Sequence, residues 1–308
     1  MRGSIRIFMS FILICVLVFA LCGCVEGPTQ TPIKPDADAD ETPAPVQSND
    51  SNDNPPQDSD QNAVIEETVL VDQNGVKITA EELFYDSMWG PGVKLLIENN
   101  TGKNIEILLN YLIVNDYMIT DKFSSTIAAG KKANDTIYLA STDLKAAGIT
   151  TISEIVTSFS VYDSDSFDTL LETDEIAIRT SAYGTVEQPA LDEGKELFNQ
   201  EGIRIVGRYF EEDSLLVAGI KLFIENYYGQ DIIVQCEEMS VNGYMVIPYY
   251  SCLVNNGRMA LSELTVTSSD LEDNNIEKIE EIELVFLILD TESFDTLIKS
   301  SPVTFAAE

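Results

Sequence analysis

Gly92-Val93-Lys94-Leu95-Leu96-Ile97-Glu98-Asn99 is written a second time as Gly219-Ile220-Lys221-Leu222-Phe223-Ile224-Glu225-Asn226, 127 residues further on. Val93, Leu95 and Ile97 alternate with Lys94, Leu96 and Glu98, and Ile220, Leu222 and Ile224 keep the same period. A period of two marks a β-strand with one buried face, so this stretch fixes both the class of structure and its repetition. The same offset, without a gap, carries Leu70–Ile78 onto Leu197–Ile205, Val114–Met118 onto Val241–Met245, and Asp163–Leu170 onto Asp290–Leu297. A match over roughly 110 positions is a duplicated domain, because solenoid units run to about 20–50 residues.

Outward from the repeated stretch, Asn100–Asn104 and Tyr227–Asp231 read as turns, with Gly102 and Gly229 free to take positive φ. Ile105, Ile107 and Leu109 then begin another strand, as do Ile232, Val234 and Cys236. Phe123–Ile127, Thr136–Ala140, Ile155–Tyr162 and Ile176–Ile178 supply more, and Val69–Val71 with Val76–Thr79 form an opening hairpin. The helical signals are short: Ser141–Gly148, with capping residues at its start and a glycine stop, and a weaker echo at Ser268–Asn275. About seven strands in about 115 residues predict an all-β fold, two tandem immunoglobulin-like antiparallel β-sandwich domains over 64–182 and 190–308, each with its own core. A half-open barrel is the alternative.

The chain begins with Arg2 and Arg6 and an apolar run from Ile7 to Leu21. At about 1.5 Å per residue this run reaches roughly 22 Å, too short for a spanning helix and right for a signal-peptide core. Leu21-Cys22-Gly23-Cys24 follows and resembles a bacterial lipobox: an aliphatic residue, a small residue, then a thiol that takes lipid. Residues 1–23 are thus expected to be a lipoprotein signal and Cys24 the lipidated residue, with several acyl chains giving durable anchoring. Residues 24–63 are rich in Pro, Asp, Asn and Ser and have little to bury, which predicts a disordered, extended acidic tether.

Charge excludes some partners. The net charge is −34 from 18 basic and 52 acidic residues, with no basic cluster, which argues against nucleic acid and against anionic lipid surfaces. Catalysis is hard to assemble, because the chain has no histidine. That removes the usual general base near neutral pH, the common triads and most zinc sites. No glycine-rich phosphate loop occurs and no cofactor is expected.

The motifs Leu70–Ile78, Gly92–Asn99, Val114–Met118, Ala129–Asp135 and Asp163–Leu170 resemble those of clostridial, Gram-positive lipoproteins with tandem immunoglobulin-like extracellular modules. The resemblance covers both repeats and the lipobox and implies a β-sandwich fold and display on the outer face of the cell membrane. It brings no catalytic residues. The second copy departs from the pattern at Asn255–Ala260.

Four features are candidates for a site. The acidic loop with Asp163, Asp165 and Asp168 recurs as Asp290, Glu292 and Asp295, and offers oxygen ligands to a hard cation such as calcium. It lacks the third ligand and glycine of an EF-hand, so a turn whose carboxylates bond nearby backbone, with Phe167 and Phe294 plugging the core, is the favoured reading. Cys236 and Cys252 face each other if their strands form one hairpin about Tyr244, and make either a disulfide or two buried free thiols. The strand Ile282–Leu289 is apolar on both faces, and needs a second cover from the other repeat, a partner chain or its own short helix. Trp89, Tyr227 and Tyr228 are aromatic contacts for a sugar or peptide, or more simply covers for the core. The expected function is a membrane-anchored, non-catalytic binding module for an envelope protein or glycan. The alternative is a calcium-dependent module built on the Asp163 and Asp290 loops.

Overall fold

The computed structural model describes residues 63–86, 90–191, 193–212 and 217–307. The expected signal segment, Cys24, Trp89 and all of the expected tether but Ala63, which is buried in the first core, lie outside the described residues.

The first repeat runs β1 (Thr68–Gln73), β2 (Val76–Asp86), β3 (Gly90–Asn99), β4 (Ile105–Val114), β5 (Tyr117–Ile119), β6 (Ser124–Ile127), β7 (Lys132–Tyr138), helix α1 (Ser141–Ala146), β8 (Glu154–Asp163), β9 (Thr169–Glu172) and β10 (Ile176–Arg179). The second runs β11 (Lys195–Gln200), β12 (Ile203–Glu212), β13 (Val217–Asn226), β14 (Ile232–Val241), β15 (Tyr244–Val246), β16 (Ser251–Val254), β17 (Arg258–Val266), α2 (Ser268–Asp273), β18 (Glu281–Asp290), β19 (Thr296–Lys299) and β20 (Val303–Ala306).

In the first repeat one sheet has the order β1-β2-β3-β7, and the other places β8 and β4 at its centre with β9 and β10 on one edge and β5 and β6 on the other. The second repeat reproduces this as β11-β12-β13-β17 facing a sheet centred on β14 and β18. The chain leaves the first sheet after β3, returns to it with β7 and leaves again for β8. Neighbours in each sheet are therefore not consecutive in sequence, which is the Greek-key crossover of an immunoglobulin-like sandwich. Within a repeat no ladder joins the two sheets among the described residues, so the half-open barrel is not formed.

The alternation in the duplicated stretch does what its period implies. Val93, Leu95 and Ile97 are buried in one core and Ile220, Leu222 and Ile224 in the other. Opposite them lie Ile105, Ile107 and Phe159, and in the second copy Ile232, Val234 and Phe286. The opening hairpins turn tightly at Asn74-Gly75 (φ 52° and 83°) and Glu201-Gly202 (φ 52° and 85°), whose backbone twist suits two-residue hairpins. At Gly202 a side chain is also excluded by space, since a Cβ would lie 2.5 Å from the Tyr227 carbonyl oxygen.

Several local expectations need correction. Gly229 takes φ 108°, but Gly102 does not enter the left-handed region. Helix α1 starts at Ala140 without a side-chain cap, because an alanine methyl offers no acceptor, and the Asp143 carboxylate in its first turn accepts the Thr120 N–H. Helix α2 does have a cap, Thr267, whose hydroxyl accepts the Asp270 N–H. That helix is not the second cover for the strand now seen as β18, since Leu271 and Ile276 pack into the second core against its inner side chains.

Candidate interaction surface

Two asparagines at identical places in each copy organise the sandwich ends. Asn99 is fully buried and its amide nitrogen donates to the carbonyls of Lys103, Ile127 and Ala128, while its Oδ1 accepts from the Thr101 N–H and hydroxyl. It ties the end of β3 in one sheet to the end of β6 in the other. Asn226 does the same in the second repeat, donating to Gln230 and Val254. Asn115 and Asn242, both at positive φ near 50°, each accept two backbone N–H groups at the start of the strand beside them, from Ser153 and Glu154 and from Glu280 and Glu281. All four lie inside the repeated stretches, where the sequence alone assigns them no role. Their signal was an identical asparagine ending a strand or opening a turn in both copies.

The acidic loops are structured turns. Asp163 Oδ1 accepts the N–H groups of Asp165 and Ser166, and its Oδ2 lies 2.6 Å from Lys103 Nζ. The lysine, first, and the two amides hold the Asp163 carboxyl at a pKa of about 2. Asp290 makes the same turn through Glu292 and Ser293, with Gln230 in the place of the lysine at 2.6 Å, and its pKa is lowered by those amides. Asp168 accepts from the Ser166 hydroxyl. No group of three acidic or thiol side chains converges to hold a metal among the described residues. Phe167 and Phe294 do not plug the core as expected. They sit at φ 59° and 60° and are exposed, because a left-handed residue at that point swings its side chain away from the sheets.

Cys236 and Cys252 are both free thiols. They are not opposite each other: Cys252 pairs with Val234, and Cys236 pairs with Phe286 on the other side of its strand. The simple hairpin expected from their spacing is interrupted, since β15 and β16 are separate strands along β14. Burial pushes the Cys236 thiol up to about 11 and raises that of Cys252. Of the turn tyrosines, Tyr228 packs against the second core and Tyr227 is exposed.

The feature with most consequence is the seam between the repeats. β5 pairs in parallel with β17 through Tyr117 beside Met259 and Met118 beside Ala260, so an edge of the first repeat is capped by an edge of the second. The Met259 N–H donates to the Asp116 carbonyl at 2.9 Å, and the Arg258 guanidinium holds both Asp116 and Glu175. Val206, Phe223 and Met259, from the outer face of the second repeat, join the first core, and Met118 packs on the second. The Tyr117 ring lies 6.3 Å from that of Phe223, and its hydroxyl donates to the Pro189 carbonyl and accepts the Leu191 N–H. Beside the seam is a cleft of about 550 Å³ bordered by Met118, Asp143, Lys221, Cys252, Leu261 and Glu263.

Among the described residues, no strand of the chain covers the matching edge of the second repeat. Tyr117 is fully buried, whereas its copy Tyr244 is 52% exposed. Met118 is packed, whereas Met245 is 67% exposed. Ile247 and Tyr249 follow at 65% and 81%, where the first repeat has Thr120 and Lys122. Inboard of this edge, the outer face of β18 carries Val285, Leu287 and Leu289, apolar as the sequence indicated, of which Val285 and Leu289 are buried and Leu287 is half-buried.

No protein-family model and no curated relative matches the chain. Among solved structures it is similar to the SafA pilin in complex with the SafB chaperone of Salmonella enterica, at 13% identity over 77% of this chain and 98% of that one, with a TM-score of 0.23. It is also similar to the CsuC–CsuE chaperone–tip adhesion subunit complex of Acinetobacter baumannii, at 10% identity over 69% and 90%, with a TM-score of 0.20. A third match is the exo-chitosanase CsxA of Amycolatopsis orientalis, at 12% identity over 73% of this chain and 26% of that one, with a TM-score of 0.24. Likenesses this distant say nothing about activity, and the assignment of this chain to the immunoglobulin-like β-sandwiches rests on its own strand order.

Proposed function

We propose that the chain is a lipoprotein held through Cys24 on the extracellular face of the cell membrane, and that its two sandwich domains bind an envelope partner without transforming it. The observation that carries the binding role is the edge of the second repeat, where Tyr244 and Met245 are exposed although their counterparts Tyr117 and Met118 are covered, and where exposed Ile247 and Tyr249 add apolar surface. Contiguous exposed apolar side chains on a soluble domain mark interaction sites. The lipobox-like Leu21-Cys22-Gly23-Cys24 and the polar stretch that follows supply the address and the reach. The lack of histidine supports a non-catalytic role.

Growth with radiolabelled palmitate followed by membrane fractionation tests the anchor. The wild-type chain is expected to take label and sediment with membranes, and Cys24→Ala to lose both properties. An unlabelled wild-type chain released into the medium would overturn the proposal.

A further inference from the structure

We infer that the β15 edge of the second repeat receives an extended strand from another protein, apolar at alternate positions and carrying basic side chains, in the way that β5 receives β17. The inference rests on the binding role proposed above and names the surface and the chemistry of its partner.

The first repeat supplies the template. Its β5 edge is filled by a strand that offers Met259 and Ala260 to the ladder, Leu261 to the packing behind it and Arg258 to flanking acids. By the 127-residue offset the same edge in the second repeat is Tyr244–Val246. Among the described strands it pairs only with β14. Unpaired edges invite strand addition, and proteins usually blunt them with charge. The edge left open on β7 is blunted in this way, by Lys132 and Asp135. Just past the strand, Ile247 and Tyr249 stand where the first repeat has the exposed Thr120 and Lys122, and Pro248 stands where it has Asp121, so the edge has lost its charges and can pair only as far as Ile247. An exposed edge without gatekeeping charges is suited to main-chain pairing, with side-chain pockets giving selectivity.

Charge and composition select the occupant. Met245 lies in a shallow depression with Glu238, Glu283 and Val285, so the edge is apolar with an acidic flank. A second copy fits poorly. The net charge of −34 opposes close approach, β17 is already used within the chain, and β7, its counterpart, presents Lys132 and Asn134 where β17 has Met259 and Leu261. A foreign strand with alternating apolar side chains and lysine or arginine beside them satisfies both the ladder and the flank.

The probe is a fluorescent peptide with the sequence of residues 255–266 carrying Glu263→Lys, which makes it net basic, added to the full-length lipoprotein in detergent micelles and followed by anisotropy. Saturable binding is expected, weakened about tenfold or more by Met245→Glu and by Ile247→Glu, with both variants melting like the wild type. Absence of saturable binding, binding that the two variants leave unchanged, or a concentration-dependent dimer that they abolish would each overturn the inference. The readout does not depend on lipid at Cys24, so failure here and failure of the anchor are separate results.

Discussion

Met118 and Met245 occupy the same place in two copies of one domain, yet one packs into the core of the neighbouring repeat and the other stands in solvent. Identical local sequence, Val-Asn-Xaa-Tyr-Met, therefore serves a seam in one copy and an open edge in the other. Removing a partly buried thioether forfeits about 0.8 kcal/mol per methylene lost from the interior. Met118→Ala is expected to lower stability by about 1–2 kcal/mol, and Met245→Ala by less than about 0.5 kcal/mol. Urea unfolding of the two variants beside the wild type checks this, and equal losses would contradict the asymmetry.

The seam itself depends on Met259, which is buried where the repeats meet. Met259→Ala should cost about 2–4 kcal/mol, in the range of large-to-small changes in packed interiors. Arg258→Ala should cost about 1 kcal/mol and lose less in high salt, since Asp116 and Glu175 are both substantially exposed. Thermal melts at low and high ionic strength separate the two contributions.

Asn99 and Asn226 are predicted to matter equally. Each satisfies two or three carbonyls from buried positions, and an orphaned buried polar group costs about 1–3 kcal/mol. Asn99→Ala and Asn226→Ala are each expected to destabilise by about 3 kcal/mol, and Asn→Asp changes to be no better, because a carboxylate lacks the donors. Denaturant midpoints give the answer.

The acidic loops lead to a prediction about pH. The Asp163 carboxyl is held at about 2, below its value near 4 in an unfolded chain, so it stabilises the fold above about pH 4. That contribution is lost as pH falls from about 4 towards 2. Lys103→Gln gives the loop the neutral donor that Asp290 has in Gln230, and should raise the Asp163 pKa, read by carboxyl NMR titration. Because Asp163 already spends both oxygens on protein donors, millimolar calcium should leave the melting temperature unchanged. A calcium-dependent rise would restore the cation-binding reading of Asp163 and Asp290.

Much of the fold could be read from the sequence because burial in a sandwich follows a period of two. Val93, Leu95, Ile97 and their copies are core residues as their alternation indicates, and so are Ile282, Leu284, Phe286 and Ile288. What could not be read are the features set by non-local geometry. The phenylalanine in Asp-Ser-Asp-Ser-Phe-Asp looks like a plug, and only the positive φ at Phe167 turns it outward. Met118 gives no local sign that differs from Met245, and the seam left its mark only on the other strand, in the departure at Asn255–Ala260 that puts Met259 where the first copy has Lys132. Of the three covers the sequence allows for the outer face of β18, the short helix is the one excluded, because it packs inward.

Hydrogen–deuterium exchange tests the central asymmetry most directly, by comparing the segments 116–120 and 243–247 in the full-length protein. An amide bonded across a ladder exchanges only through opening, whereas an edge amide facing solvent exchanges freely. The capped edge should be protected by about tenfold or more over the open one, and the 255–266 peptide carrying Glu263→Lys should bring protection to 243–247 alone. Equal protection of the two segments without peptide would contradict the account.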